Sequence, residues 1–257
     1  CTVAGREGGA WFGHPAFPLP RRAATGTDRA LTHEPGPARR ATRLFFETLR
    51  FALPVVPMLV FLGWFKALAS CAWAAPALWL VAVPAAALAA AAAPCLFVLA
   101  LKWSLLGRVR PGRHPLWSCW CSRWDFLYVA WGQLARGPLS ALEGTLLLAP
   151  YLRAMGARIG RRVVLGGGFA QVVDPDMLRF GDGATVCGMF QAHTFEDRVL
   201  KIGPVALGAA STVGPGAVLF YDAVVGDSGH VAPHAVVMKG ERLLPGHAYD
   251  GCPVRPG

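Results

Sequence analysis

Charge is the scarcest ingredient of this 257-residue chain: only 16% of residues are Asp, Glu, Lys or Arg, against 54% hydrophobic. Soluble globular chains carry about 25% charged residues, and the mean hydropathy here is +0.41. That balance points to a membrane. Paired cysteine motifs are also missing. Seven cysteines stand at 1, 71, 95, 119, 121, 187 and 252, an odd number with no C-x-x-C pair. Cys119-x-Cys121 is too tight for the usual zinc spacing, so the thiols are expected free, in a reducing compartment. Residues 1–43 have no continuous apolar core and are not expected to be a secretory signal. Their Gly, Pro and Arg read as a disordered linker. Acidic residues are too few to balance the cations, and the net charge is +10. No nucleic-acid motif accompanies it, so nucleic acid is not expected as a partner.

The cations are placed at the ends of apolar runs. Arg21, Arg22, Arg29, Arg39, Arg40, Arg43 and Arg50 precede the first run, FALPVVPMLVFLGWF (51–65). Lys102, Arg108, Arg110 and Arg113 follow the second, an uncharged stretch from Ala72 to Leu101. A span needs about 20 apolar residues. The second run has ample length, and the first reaches it if Leu44–Phe46 and Ala67–Ala69 extend it and Lys66 snorkels. The two runs meet near Ser70–Cys71 and read as a two-helix transmembrane hairpin over 44–104. Its basic outer flanks place both ends in the cytoplasm. Residues 105–158 form an aromatic and basic connector. Trp103, Trp117, Trp120, Trp124 and Trp131 alternate with cations, a pattern suited to the lipid headgroup layer or to a docking surface.

From residue 207 onward a six-residue register is plain: LGAAST, VGPGAV, LFYDAV, VGDSGH, VAPHAV, VMKGER. An aliphatic residue opens each unit (Leu207, Val213, Leu219, Val225, Val231, Val237), a small residue is fifth until Glu241, and Gly, Pro and Asp fill the positions between. Period six keeps no single face of a 3.6-residue helix. One inward aliphatic per short strand, a small corner residue and a turn describe a parallel β-helix whose rungs bury their apolar faces on one another. The pattern continues upstream from Ile159, Leu165, Phe180, Val186 and Ile202. It slips around 171–179 and around 192–201. The β-helical domain is therefore expected over 159–257. The second slip contains QAHTFEDR (191–198), whose polar residues interrupt the rhythm.

These hexapeptides resemble those of the left-handed β-helical acyltransferases, and LLPGHAYDGCPVRP (243–256) looks like the turn that closes many of them. Four segments, LGRVRPGRHPLWS (106–118), YLRAMGARIGRRV (151–163), QAHTFEDRVLK (191–201) and VMKGERLLPG (237–246), resemble the C-terminal region of nonribosomal peptide synthetases of the ε-poly-L-lysine synthetase type. Residues 166–176, GGGFAQVVDPD, depart from that pattern. The resemblance implies an all-β left-handed parallel β-helix behind an α-helical transmembrane hairpin, integral in the membrane with the β-helix on the cytoplasmic side. It implies a membrane-anchored acyl- or aminoacyltransferase that passes a carrier-bound thioester to an amine or hydroxyl. Its partners would be the membrane, a carrier-protein domain of the same or another chain, and other β-helix units in a pseudo-trimer or homotrimer. No cofactor would be bound. The acyl group would arrive on phosphopantetheine, or alternatively as acyl-coenzyme A.

Such a reaction needs a base for the nucleophile and donors for the developing oxyanion. A histidine, with an unperturbed pKa of about 6.5, suits the first task. His193 is the candidate, with Glu196 or Asp197 to orient it. Glu196 is placed with it as catalytic, and Asp197, Arg198 and Lys239 as substrate-binding, with Arg198 and Lys201 facing the phosphate of the carrier arm. Two alternatives stand beside this: an O- or N-acetyltransferase using free coenzyme A, and a silent membrane scaffold. A zinc site of His193, His230 and His234 is disfavoured by their unlike positions in the repeat, and His247 is given no role.

Overall fold

The structure is a computed structural model that describes residues 10–12, 17–19, 28–71 and 76–257. Of the lead-in read over 1–43, residues 1–9, 13–16 and 20–27 lie outside the described residues, as do residues 72–75 at the hairpin tip. Two short strands, β1 (Ala10–Phe12) and β2 (Phe17–Leu19), pair antiparallel. A helical turn, α1 (Arg29–Thr32), is capped by the Asp28 carboxylate. Then α2 (Pro37–Leu49) runs across the boundary drawn at residue 43, with Pro37 at its first turn, where a missing N–H costs nothing. The disorder expected of the lead-in therefore does not extend to 37–43. Arg39, Arg40 and Arg43 are good helix formers, and the helix has a partner to pack on.

Two apolar helices follow, α3 (Val55–Ser70) and α4 (Pro76–Leu105), which pack on each other. α4 continues through Pro84 and Pro94 without a break. The helical stretch Arg29–Ser70 that ends in α3, and α4 over Ala77–Leu105, are each long and apolar enough to cross a membrane, and most large side chains of α3 and α4, such as Phe61, Phe65, Leu80 and Leu88, are exposed.

The connector is a packed helical subdomain rather than a loose interfacial stretch. A strand, β3 (Gly112–Pro115), leads to α5 (Cys119–Ala130), capped by the Ser118 hydroxyl. A π-helical turn over Trp131–Ala135 joins it to α6 (Arg136–Ser140), and α7 (Leu148–Ala154) follows. Trp124 and Trp131, read from the sequence as headgroup-layer residues, are buried in protein instead. Each indole N–H donates to an acceptor in 166–176: Trp124 to Asp174 Oδ1 at 2.8 Å and Trp131 to the Ala170 carbonyl at 2.9 Å. Sequence spacing alone gives no sign of that partner.

The β-helix then coils over three parallel faces. Its first coil has β4 (Arg158–Ile159) and β5 (Val164–Leu165), the second β6 (Leu178–Phe180), β7 (Thr185–Val186) and β8 (Met189–Gln191). An antiparallel hairpin, β9 (His193–Glu196) and β10 (Val199–Ile202), interrupts the coil, and β3 pairs antiparallel with the free edge of β10. The third coil is β11 (Val205–Leu207), β12 (Thr212–Val213) and β13 (Val218–Phe220). The fourth is β14 (Val224–Val225), β15 (His230–Val231) and β16 (Val236–Val237). Then β17 (Arg242–Leu243) and β18 (Ala248–Asp250) close the stack, and β19 (Arg255–Pro256) turns back antiparallel on β18.

The expected register holds residue by residue. Leu207 pairs above Val225, and Val225 above Leu243; all six opening aliphatics from Leu207 to Val237 are buried. The fifth-position Ser211, Ala217, Ala223 and Ala235 are fully buried at the corners. The fourth position recurs in the left-handed region: Ala210, Gly216, Asp222, Ser228, His234, Gly240 and Gly246 all have positive φ. The second-position glycine is a matter of clearance. A Cβ on Gly208 would stand 2.5 Å from the Asp227 backbone nitrogen of the next coil. Asp227 uses that closeness to accept the Ala209 N–H at 2.8 Å.

Candidate active site

Both slips in the register are excursions, and they meet. The first, residues 166–177, leaves the coil where the first coil would have its third strand. Phe169 caps the exposed end of the core, with its ring against Phe180 and Phe190. The Glu143 carboxylate accepts the Gly168 and Ala170 N–H groups at 2.9 and 2.8 Å. The excursion ends in a short 3₁₀ turn over Pro175–Met177, preceded by Asp174 in the left-handed region (φ 51°, ψ 60°). A residue before proline is pushed away from helical backbone, and such strain costs about 1–3 kcal/mol. It persists because the Asp174 carboxylate is held on both sides.

The second excursion supplies the other side. His193 Nδ1 lies 2.9 Å from Asp174 Oδ2, while Asp174 Oδ1 accepts the Trp124 indole N–H. The Asp174 side chain is 1% exposed and that of His193 16%. The Trp124 ring meets the imidazole edge-on at 5.0 Å between centroids. With both acceptor oxygens of Asp174 committed, Nδ1 is the protonated nitrogen, which leaves Nε2 as the basic one. The imidazole is therefore oriented by a carboxylate nineteen residues upstream, in the very stretch that departs from the resemblance.

The acids next to His193 in sequence do something else. Strand residues alternate faces, so His193 and Phe195 share one side of β9, and Thr194 and Glu196 the other. Glu196 forms ion pairs with Lys201 and Lys239 and accepts the Tyr221 hydroxyl at 3.3 Å. Partial burial pushes its carboxyl up, but the two ammonium groups outweigh this and lower it to about 2. The Tyr221 phenol is pushed up to about 12, by burial first and then by Glu196. Asp197 and Arg198 form the two-residue turn between β9 and β10, both with positive φ (50° and 59°), as a type I′ hairpin turn requires. Both side chains are exposed, and Asp197 Oδ1 lies 3.9 Å from His33 Nε2. Lys239 sits over the Tyr221 ring at 5.4 Å. Of the residues singled out in the sequence, Glu196 and Lys239 thus come together with Lys201. His193 stands apart from them, with Asp174 and Trp124.

On the His193 side, β3 brings His114 opposite Leu200, stacked on Trp120 at 3.7 Å. Burial lowers the His114 pKa, and the nearby Asp174 opposes that. Two residues beyond Asp174, Asp176 Oδ2 lies 3.0 Å from Lys102 Nζ near the end of α4; both side chains are almost wholly buried, at 2% and 1% exposure. Asp176 Oδ2 also accepts the Val109 N–H, while Oδ1 has no hydrogen-bond partner among the described residues. A cavity of about 20 Å³, room for one water, lies between these groups, Tyr128 and Asp174. Gly156 makes room for Asp176: its Cβ would fall 2.3 Å from Oδ1. Among the described residues no group of three His, Cys, Asp or Glu side chains is arranged to hold a metal, and six cysteines are free thiols.

No protein-family model matches the chain. The chain is 33% identical, over 97% of its length, to delta-poly-L-ornithine synthetase from Acinetobacter baumannii (strain AB307-0294), and spans 19% of that protein. Among solved structures it is similar to a hexapeptide-repeat-containing acetyltransferase from Vibrio cholerae (15% identity, 47% of this chain and 86% of that one, TM-score 0.36). It is similar also to serine acetyltransferase from Neisseria gonorrhoeae (14% identity, 88% and 100%, TM-score 0.33). The chain thus covers about a fifth of the curated relative it matches.

Proposed function

We propose that this chain is the membrane-anchored acyl- or aminoacyltransferase unit of a synthetase resembling the nonribosomal peptide synthetases, built on a left-handed β-helix. The observation that carries the reading is the His193–Asp174 pair, fixed by Trp124 at the meeting point of the two excursions. Similarity over nearly the whole chain to part of a poly-ornithine synthetase supports the synthetase context. In the proposed step, His193 Nε2 takes a proton from the acceptor amine or hydroxyl as the new bond forms at the thioester carbonyl carbon. The carbon–sulfur bond breaks, and the imidazolium returns its proton to the departing thiolate, giving the amide or ester and a free thiol. Asp174 orients the imidazole and stabilises its protonated form.

The acyl donor in this reading is a thioester on the phosphopantetheine of a carrier domain, in the same or another chain. Exposed Arg198, on the hairpin turn, meets the phosphate of that arm. Asp197 beside it borders the same substrate approach, whereas Glu196 pairs with Lys201 and Lys239 on the opposite face of β9, and the three serve the stability of the hairpin rather than catalysis. The helices α3 and α4 cross the membrane, with the β-helix on the cytoplasmic side. Neighbouring β-helices, in the same long chain or in other copies, complete a pseudo-trimer or homotrimer.

The test is His193→Ala in the full-length protein, with product formation and thermal unfolding both measured. Undiminished product from a stably folded variant removes His193 as the base. Isothermal titration with acetyl-coenzyme A separates the donors: saturable binding without any carrier favours the coenzyme A reading over the carrier.

A further inference from the structure

Helix α2 is inside out. In a surface helix of a soluble protein the apolar stripe faces the core and the polar stripe faces water. Here the polar stripe faces the protein. Arg43 and Arg50, two turns apart, both reach Asp125 of α5, at 3.5 and 2.7 Å. The Arg43 guanidinium lies over the Trp117 ring at 5.5 Å, and Phe46, between the two arginines, meets Phe126 at 6.0 Å. The opposite stripe carries Ala41, Leu44, Phe45 and Leu49, continued by Phe51, and among the described residues it has no protein against it. Leu44 is 63% exposed, Phe45 61% and Phe51 86%.

We infer that the apolar face of α2 lies in the interfacial layer of a phospholipid bilayer, as an amphipathic helix joined directly to the first span. Two features choose lipid over another protein as the occupant. The face is continuous along the chain with the exposed apolar side chains of α3, beginning at Val55 and Met58, so whatever covers α3 covers α2 as well. Arg40, exposed at the start of α2 and one turn before Leu44, makes no ion pair among the described residues. It is free to meet a headgroup phosphate, as cations do on helices that lie on a membrane. The docking of α2 on α5 then ties the bilayer surface to the helix that carries Trp124.

The inference rests on the membrane-spanning part of the proposed function but not on its chemistry. The test is photo-crosslinking from benzoylphenylalanine placed in turn at Phe45, Phe46 and Phe61 of the full chain, in phosphatidylcholine–phosphatidylglycerol nanodiscs, with adducts identified by mass spectrometry. Lipid adducts are expected at Phe45 and at Phe61 of α3. Phe46 should crosslink within the chain to α5, with at least about fivefold less lipid adduct than Phe45. Adducts at Phe61 but not Phe45 overturn the inference and leave the spans standing, whereas no lipid at either site removes the spanning reading too. A Phe45 crosslink to a second copy of the chain also overturns it. Leu49 provides a second site on the same face should the Phe45 variant fold poorly.

Discussion

The regular coils over 205–243 and the two excursions at 166–177 and 192–202 are made of the same chain but held by different forces. The coils are self-contained. Each inward aliphatic is buried on the rungs above and below, each backbone ladder is closed by its neighbours, and almost nothing outside the coil is needed. The excursions have little core of their own. They are held from outside by Glu143, Trp124, Trp131, Lys102 and β3, all contributed by the connector or the end of α4. The repeat supplies a rigid frame, and the connector decides what is mounted on it. The groups proposed to react sit on the part of the structure that the repeat alone does not determine.

The comparison is broken most completely from the coil side. Val231→Asp puts an unpaired carboxylate among fully buried aliphatics, a change whose cost exceeds the total stability of many domains. Circular dichroism and limited proteolysis should show the β-helix lost. From the excursion side, Asp174→Asn should keep the fold and cripple transfer. The amide removes the charge that favours the imidazolium and permits the wrong imidazole tautomer, and a drop in rate of about 10³-fold or more is expected, with the unfolding temperature changed by a few degrees at most. Carrier-loaded substrate turnover measures it. A rate within about threefold of the unaltered chain would show that Asp174 does not serve the base.

The contrast also explains what could be read in advance. The rung register was legible because each position in it is dictated locally: an inward side chain at Leu207, a corner too tight for a large residue at Ser211, turn residues such as Gly208 and Gly214 between them. His193 was legible as a break in that register. Asp174 was not, because its role depends on Trp124, fifty residues away, and on an excursion whose path no local pattern specifies. The one local signal was an acid before proline, in Asp174-Pro175-Asp176, inside a phase slip. The separation of Glu196 from His193 has a simpler origin. Glu196 is three residues from His193 on one strand, and period-two alternation alone places the two on opposite faces. Trp124 and Trp131 differ from the headgroup-layer reading because interleaving with cations suits a membrane interface and a polar buried seam equally well.

A smaller effect tests how the end of α4 supports the excursion. Lys102→Met leaves the Asp176 carboxylate buried and uncompensated, a loss of about 3–5 kcal/mol. Lys102→Met/Asp176→Asn removes both charges and keeps an acceptor for the Val109 N–H, so most of the lost stability should return. Thermal unfolding of both variants in the same detergent checks this. Equal melting of the single and double variants would mean that the ion pair does not hold the 174–177 turn.

The smallest expected effect lies at the hairpin, on the face away from His193. The Glu196 carboxyl is lowered to about 2 from an ordinary value of 4.5. Its folded pKa is below its unfolded one, so its contribution to stability is fully present above about pH 4.5 and is lost as the pH falls through about 2. Glu196→Gln should therefore lower stability at neutral pH by about 1 kcal/mol, given its partial exposure. The variant and the unaltered chain should converge as acid is added across that window. Because Glu196 and His193 point to opposite sides of β9, the same substitution should leave the rate of transfer per folded molecule within about threefold. A much larger loss of rate, with the fold intact, would return Glu196 to the active site and make the two faces of the hairpin one functional unit.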